Sequence, residues 1–195
     1  LDRVQFAKVS WDKTLEGNTL KYWAKSLGLE PTVENGAELV IKAQLNGGAS
    51  AIYHAMDEGD VENIMKHPLT MIASDGRLVV PGEGHPHPRW YGTFPRVLGL
   101  FVREKQVLPL EEAIYKMSFL PAKTIGIKRR GLIKKGMFAD ITIFDKNRII
   151  DRATFEKPHQ YSEGIHYVLV NGELAIDNGE FQNIKAGKVL RKNSD

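Results

Sequence analysis

Asp75 is the residue whose type and position are best suited to chemistry. It follows the apolar residues 69–73, which are predicted to form a strand, and it precedes a long loop rich in Gly, Pro and His. A single carboxylate in that place can bind a divalent cation or accept a proton from water. It can also simply cap a turn, and for Ser74-Asp75-Gly76 alone the turn is the commoner role. The polar loop that follows makes Asp75 a candidate metal ligand and catalytic residue.

Arg89 is the second candidate, at the other end of that loop and next to the aromatic pair Trp90-Tyr91. A guanidinium held in a pocket is suited to two-pronged recognition of a carboxylate or a phosphate. An arginine beside a tryptophan also packs on its ring through a cation–π contact. The residues alone leave both interpretations open.

Three histidines could bind a metal, and the sequence favours other roles for them. His85-Pro86-His87 places two rings on one side of an extended segment. No third ligand stands at a supporting spacing, so contact with the substrate loop or packing is the favoured role. His54 lies within the predicted strand 49–56, where it is interpreted as a satisfied core histidine, with a site residue at the strand end as the alternative.

Composition and charge exclude several classes of function. The 195 residues include 27 Lys and Arg, 24 Asp and Glu, and no cysteine, for a formal net charge of +3. We therefore expect no disulfide framework and no cysteine nucleophile. The basic cluster at residues 128–135 is predicted to be a solvated loop, so we expect no nucleic-acid partner. No stretch approaches about 18 consecutive apolar residues, so we expect no membrane partner. Residues 1–3 begin no apolar signal core, and we expect a cytoplasmic protein.

The segment that must position Asp75 is predicted to be a strand–helix–strand unit. Residues 49–56 and 69–73 are apolar runs, and Asp57 is a candidate N-cap for a helix between them. Such a unit is right-handed and its strands are parallel, which buries them on both faces. The residues just past the ends of parallel strands lie where α/β folds place their chemistry.

The other predicted elements are helices before the loop and strands near the end of the chain. Asn18 or Thr19 can cap a first helix, and Thr32 can cap a second one. The second helix is expected to bury Ala37, Val40, Ile41 and Leu45. A further helix is expected from about Pro95, and another over residues 110–119. Asn171-Gly172 between two apolar runs predicts a β-hairpin in an antiparallel C-terminal module.

Several stretches of the chain carry a family resemblance over roughly residues 50–177. They are Ile72-Ala73-Ser74-Asp75-Gly76, His87-Pro88-Arg89, Tyr91-Gly92-Thr93-Phe94-Pro95-Arg96-Val97-Leu98-Gly99, Gly136-Met137-Phe138-Ala139-Asp140, Asp151-Arg152-Ala153-Thr154-Phe155 and Pro158-His159. The chain closely resembles the amidohydrolase superfamily, specifically the N-acyl-D-amino-acid deacylases, or D-aminoacylases.

The resemblance implies an α/β fold, a metal-dependent (β/α)₈ barrel followed by a small β-sandwich. Residues 1–126 would be the C-terminal part of the barrel, and residues 127–195 would be part of the sandwich. Asp75 would be the strand-end aspartate that binds metal and acts as general base, and Arg89 would hold the substrate carboxylate. The implied cofactor is zinc. The implied reaction is hydrolysis of the amide bond of an N-acyl (D-)amino acid, a small-molecule substrate.

One departure from the family concerns the remaining metal ligands, which are an early His-x-His pair, a cysteine and two later histidines. This chain has no cysteine, and its one His-x-His follows Asp75. A complete barrel needs about 250 residues. We therefore expect the chain alone to lack a complete metal site, and to need a missing N-terminal barrel portion or self-association. The alternatives are a non-catalytic fragment acting in assembly or ligand binding, and a different amidohydrolase that opens cyclic amides.

Overall fold

The structure is a computed structural model that describes residues 1–192. Residues 193–195, the end of the predicted second domain, lie outside the described residues. The helices are α1 (Leu20–Ser26), α2 (Val33–Leu45), α3 (Glu58–Lys66), α4 (Arg89–Arg96), α5 (Leu110–Met117) and α6 (Phe119–Ile125). The strands are β1 (Val4–Lys8), β2 (Ser50–Tyr53), β3 (Ile141–Phe144), β4 (Ile165–Val170), β5 (Glu173–Asp177) and β6 (Glu180–Phe181). No helix within residues 1–192 is long and apolar enough to cross a membrane.

The chain divides into two compact units, each assembled from separate segments. Unit 1 contains residues 1–57, 75–91 and 153–160. Unit 2 contains residues 58–74, 92–152 and the residues from 161 onward. Asp75 and Arg89 both belong to unit 1. The domain boundary near residue 126 stays a prediction.

Unit 1 has a core of aromatic and aliphatic side chains between a two-stranded sheet and two helices. Trp23 of α1 lies edge-on to Phe6 of β1, with 5.7 Å between the ring centroids. The Thr19 and Thr32 hydroxyls accept hydrogen bonds from backbone N–H groups three residues later, which confirms the two predicted caps.

The predicted buried face of α2 is wrong by a rotation about the helix axis. Leu39 and Ala43 are buried, whereas Val40, Ile41 and Leu45 are 53%, 60% and 82% exposed. The physical reason lies at Gly36. A Cβ there would come within 2.4 Å of the Leu1 side chain, so the absence of a side chain lets this face of the helix pack closely.

The predicted strand–helix–strand unit is not formed. Helix α3 is present, but β2 pairs antiparallel with β1, and residues 69–73 form no strand. Leu69 is 75% exposed, and the Ile72 N–H donates to the Lys116 carbonyl at 3.0 Å. A strand buried on both faces needs a neighbour along each edge, and the sequence of the run itself cannot provide either one.

Unit 2 joins a helical cluster to a four-stranded antiparallel sheet in the order β3-β4-β5-β6. Asn171 and Gly172 have φ of +52° and +88°, as a type I′ turn requires, and the predicted hairpin is confirmed. Helix α4 begins at Arg89, six residues before the predicted start, and continues as a π-helix over Val97–Glu104. The hydrophobic core of this unit contains the buried residues Met65, Val97, Leu98, Phe101, Leu108, Ala113 and Ile149.

Candidate functional site

The structure brings the two predicted site residues into direct contact. Asp75 opens the loop 76–88 with a φ of +46°, and Arg89 follows that loop as the first residue of α4. The Arg89 Nη2 atom lies 2.6 Å from the Asp75 Oδ2 atom. The Arg89 Nε–H donates to the Asp75 backbone carbonyl at 3.3 Å. The guanidinium therefore contacts two oxygens of one residue.

The ion pair is open to solvent. The Asp75 side chain is 84% exposed and the Arg89 side chain is 42% exposed. An exposed pair contributes little to stability, because water competes for both charges. Both side chains are thus accessible to a ligand, and a second carboxylate can compete with Asp75 for the guanidinium.

His87 fixes the backbone at the start of α4. Its Nδ1 atom accepts a hydrogen bond from the Arg89 N–H at 3.0 Å, and its carbonyl accepts one from the Trp90 N–H at 3.0 Å. The ring lies edge-on to Phe155, with the centroids 5.0 Å apart. The side chain therefore acts as a helix cap, which accounts for α4 beginning at Arg89.

His85 is anchored in unit 1 by hydrogen bonds at both its backbone and its ring. Its N–H donates to the Ala7 carbonyl at 2.7 Å, and its Nε2 atom lies 2.5 Å from the Phe155 carbonyl. A carbonyl only accepts, so Nε2 carries the proton. A Cβ at Gly17 would lie 2.7 Å from the ring, so glycine is the residue that leaves room for it. These contacts agree with the predicted packing role.

Gln5 and His54 complete the polar contacts around Phe155. The Gln5 Nε2 amide donates to the Phe155 carbonyl at 3.0 Å and to the Gly17 carbonyl at 2.9 Å. The Gln5 Oε1 atom is left to accept from His54 Nε2 at 3.1 Å. His54 follows β2 and does not lie inside a strand, but its ring is hydrogen-bonded, as expected of a satisfied core histidine.

Phe155 and His159 are site-building residues that the analysis of individual residues missed. They lie more than 60 positions after the loop that they contact, so no local spacing connects them with it. The one available signal was their presence in two stretches, 151–155 and 158–159, that carry the family resemblance.

The described residues do not make a zinc site by themselves. Within residues 1–192, no group of three or more His, Asp or Glu side chains could hold a metal ion. Asp75 offers a carboxylate, which suits a divalent cation, and one of its oxygens is engaged by Arg89. Zinc does not fit the residues of this chain alone.

Comparison with known proteins identifies the class of protein to which the chain belongs. The amidohydrolase family model matches residues 22–176, most of the chain. The chain belongs to the amidohydrolase family.

Within that family, the chain is similar to three deacylases of Alcaligenes xylosoxydans xylosoxydans. It is 42% identical to N-acyl-D-glutamate deacylase over 159 residues, which cover 82% of this chain and 32% of the relative. It is 41% identical to N-acyl-D-aspartate deacylase over 184 residues, covering 90% and 36%. It is 45% identical to D-aminoacylase over 144 residues, covering 74% and 29%. The chain spans about a third of the length of the curated relatives that it matches.

Solved structures of two deacylases resemble the chain in three dimensions. A crystal structure of D-aminoacylase matches with a TM-score of 0.87 and 38% identity, covering 97% of this chain and 38% of that one. The N-acyl-D-glutamate deacylase of Bordetella bronchiseptica, complexed with zinc and a phosphonate inhibitor, matches with a TM-score of 0.79 and 36% identity. That match covers 90% of this chain and 35% of that one.

Proposed function

We propose that this chain is the part of an N-acyl-D-amino-acid deacylase that carries the substrate-binding arginine and the proton-accepting aspartate. The observation that carries the proposal is the exposed contact of 2.6 Å between Arg89 and Asp75, in a chain 41–45% identical to three such deacylases. Deacylation at such a site needs one group that holds the carboxylate of the substrate and another that takes a proton from water.

Arg89 binds the carboxylate of the N-acyl amino acid. A guanidinium presents its N–H groups as a planar fork that matches the two oxygens of a carboxylate. The Arg89 fork already holds one carboxylate oxygen and one carbonyl oxygen, both of Asp75. A substrate carboxylate takes the place of Asp75 on this fork.

Asp75 acts as the general base. Its carboxylate accepts a proton from the water whose oxygen attacks the carbonyl carbon of the amide. It then returns that proton to the amine as the carbon–nitrogen bond breaks. Asp75 is also proposed as one metal ligand, and the other ligands must come from outside this chain.

The proposal includes the larger architecture that the deacylases suggest. Residues 1–126 belong to a (β/α)₈ barrel, and residues 127–195 belong to a β-sandwich. The rest of the barrel comes from a separate or preceding portion, and the isolated chain is expected to be inactive and to associate with itself. The proposed location is the cytoplasm.

A second candidate function is the opening of a cyclic amide. It is supported by similarity to the dihydroorotase of Lactobacillus gasseri, 34% identical over 90 residues. That match covers 40% of this chain, against 74–90% for the deacylases, so linear N-acyl amino acids are the favoured substrates. A non-catalytic role in assembly is the remaining alternative.

The test uses a chimera in which this chain replaces the segment that it matches in the Alcaligenes D-aminoacylase. Arg89→Lys should lower kcat/KM by roughly 10- to 100-fold for free N-acyl-D-amino acids, because an ammonium cannot reproduce a two-pronged contact. The loss should be small for analogues in which a carboxamide replaces the carboxylate. The control is Arg77→Lys, an exposed arginine in the same loop.

Three outcomes of that test would contradict the proposal. Equal losses on both substrates would assign Arg89 to packing against its aromatic neighbours. A chimera that opens cyclic amides and leaves linear ones intact would favour the second candidate. A correctly folded chimera with no hydrolytic activity would favour the non-catalytic alternative.

A further inference from the structure

The loop 76–88 separates the two proposed site residues and has no helix or strand of its own. The Leu78 side chain is fully exposed and Val80 is 59% exposed, so these two apolar side chains do not anchor the loop. The position of Arg89 relative to Asp75 therefore depends on contacts that come from outside the loop. Within unit 1, these contacts come from residues 1–57 and from the segment 153–160.

One ring in that segment, the imidazole of His159, binds the chain on both sides of Arg89. Its Nε2 atom lies 3.1 Å from the Gly84 carbonyl, and its Nδ1 atom lies 3.3 Å from the Gly82 N–H. The same Nδ1 atom lies 2.9 Å from the Tyr91 hydroxyl, two residues beyond Arg89. The ring thereby joins the loop to the first turn of α4.

The three partners together select one tautomer of His159. The Gly84 carbonyl only accepts, so Nε2 must carry a hydrogen. The Gly82 N–H only donates, so Nδ1 must present its lone pair. The Tyr91 hydroxyl, which can do either, then donates to Nδ1. In the neutral Nε2–H form the ring donates to Gly84, and the single lone pair of Nδ1 is shared between the Tyr91 hydroxyl and the more distant Gly82 N–H. The Tyr91 ring packs edge-on to His159, with 5.7 Å between the ring centroids.

We propose that His159 is a positioning residue that sets the place of Arg89 for the substrate carboxylate. This inference rests on the proposed function, because it assigns Arg89 its ligand. His159 does not touch the substrate. It acts through its hydrogen bonds to Tyr91 and to the backbone at Gly82 and Gly84. These hydrogen bonds limit the movement of the Arg89 guanidinium before a substrate carboxylate binds.

The structural half of the inference is tested on the isolated 195-residue chain by NMR. Long-range ¹H–¹⁵N correlations of the His159 ring should show the neutral Nε2–H tautomer, and Tyr91→Phe should shift the Nδ1 resonance. His159→Leu should speed hydrogen exchange at the Gly82 amide by roughly tenfold, because that amide loses its acceptor. An Nδ1–H tautomer, or unchanged exchange at Gly82, would overturn the inference.

The functional half is tested by kinetics of the chimera. His159→Gln keeps a donor that can reach Gly84 but offers no ring nitrogen to Tyr91. It should raise KM for free N-acyl-D-amino acids by roughly tenfold, the effect of one lost hydrogen bond, with kcat unchanged. Carboxamide analogues should show no change in KM. Tyr91→Phe, the milder variant, should move KM in the same direction.

The matched control is His166→Gln, a histidine of β4 whose ring contacts Tyr167. It should leave KM unchanged. If His159→Gln and Tyr91→Phe lower thermal stability but leave the ratio of KM values for acid and amide substrates unchanged, His159 has a structural role only. A chimera without deacylase activity would contradict the proposed function, while the NMR results would still decide whether His159 holds the loop.

Discussion

Two short apolar runs of similar length are held in the structure by different means. The run in β4 lies inside a sheet, with β3 paired along one edge and β5 along the other. Within residues 1–192, no strand pairs with residues 69–73. The Ile72 N–H donates a hydrogen bond to the Lys116 backbone carbonyl. The side chain of the same lysine donates to the carbonyls of His67 and Thr70.

Lys116 is buried, with 1% of its side chain exposed. Its Nζ atom donates to the His67 carbonyl at 2.5 Å and to the Thr70 carbonyl at 3.5 Å. A single side chain thus replaces a ladder of backbone hydrogen bonds. The comparison of the two runs shows that apolar composition alone does not produce a strand. Strand β4 is joined to β5 by a two-residue turn, and a short loop costs little closure entropy, whereas residues 69–73 contact Lys116 of α5 instead.

The largest loss of stability is expected from a substitution at Gly164, just before β4, the strand that is paired along both edges. This residue has a φ of +86°, and a Cβ there would lie 2.5 Å from the Ile149 nitrogen. Gly164→Ala should lower the free energy of unfolding by about 4 kcal/mol, measured by urea denaturation. Gly187→Ala, where a Cβ meets open space, should stay within about 0.5 kcal/mol of the wild type. Equal stability of the two variants would refute the described packing at β4.

An intermediate loss of stability is expected when residues 69–73 lose their contacts with the Lys116 side chain. Lys116→Met keeps the length of the side chain but removes the ammonium that donates to the His67 and Thr70 carbonyls, and the His67 carbonyl keeps the Thr70 N–H as a donor. The free energy of unfolding should fall by about 2 kcal/mol, and hydrogen exchange at the Ile72 amide should accelerate. Lys123→Met, on the exposed side of α6, is the control and should change neither quantity. No change in Lys116→Met would show that other contacts hold this run.

The smallest loss of stability is expected from the ion pair between Arg152 and Glu163, which lies just before β4 in the chain. The hydrogen bond from the Arg152 guanidinium, at 2.6 Å, lowers the pKa of the Glu163 carboxyl below its ordinary value of 4.5. A lowered folded-state pKa means that the pair stabilises the fold above pH 4.5 and that this contribution is lost as the pH falls through the folded-state pKa. The effect is small because both side chains are exposed.

Urea unfolding between about pH 6 and pH 3 measures that contribution. The stability difference between the wild type and Glu163→Gln should shrink towards zero at the acidic end. A difference that stays constant across this range would show that the carboxylate charge contributes nothing.

Local signals in the sequence predicted those parts of the fold that depend on neighbouring residues. The Thr19 and Thr32 caps and the Asn171-Gly172 turn form within a few positions of the chain, and all three are confirmed. The buried face of α2 was predicted wrongly because it depends on Leu1, more than 30 positions away. The parallel strands were predicted wrongly because apolar composition indicates burial but does not supply edge partners.

In the candidate site, too, the features set by nearby residues were predictable and those set by distant residues were not. Asp75 and Arg89 were predictable as the two ends of one unusual loop, and their direct contact was not. The residues that hold the loop, His159 and Phe155, come from a distant segment. Several of their contacts involve backbone carbonyls and amides, which leave no trace in residue types or spacing. Only the structure connects them with Arg89.

The role of Asp75 as proton acceptor is tested by the kcat of Asp75→Asn in the chimera, with N-acyl-D-amino acids as substrates. The substitution keeps the size of the side chain and removes the proton acceptor. The kcat should fall by at least about 10²-fold, with the circular dichroism spectrum unchanged. A kcat close to that of the unmodified chimera would show that Asp75 is not the general base.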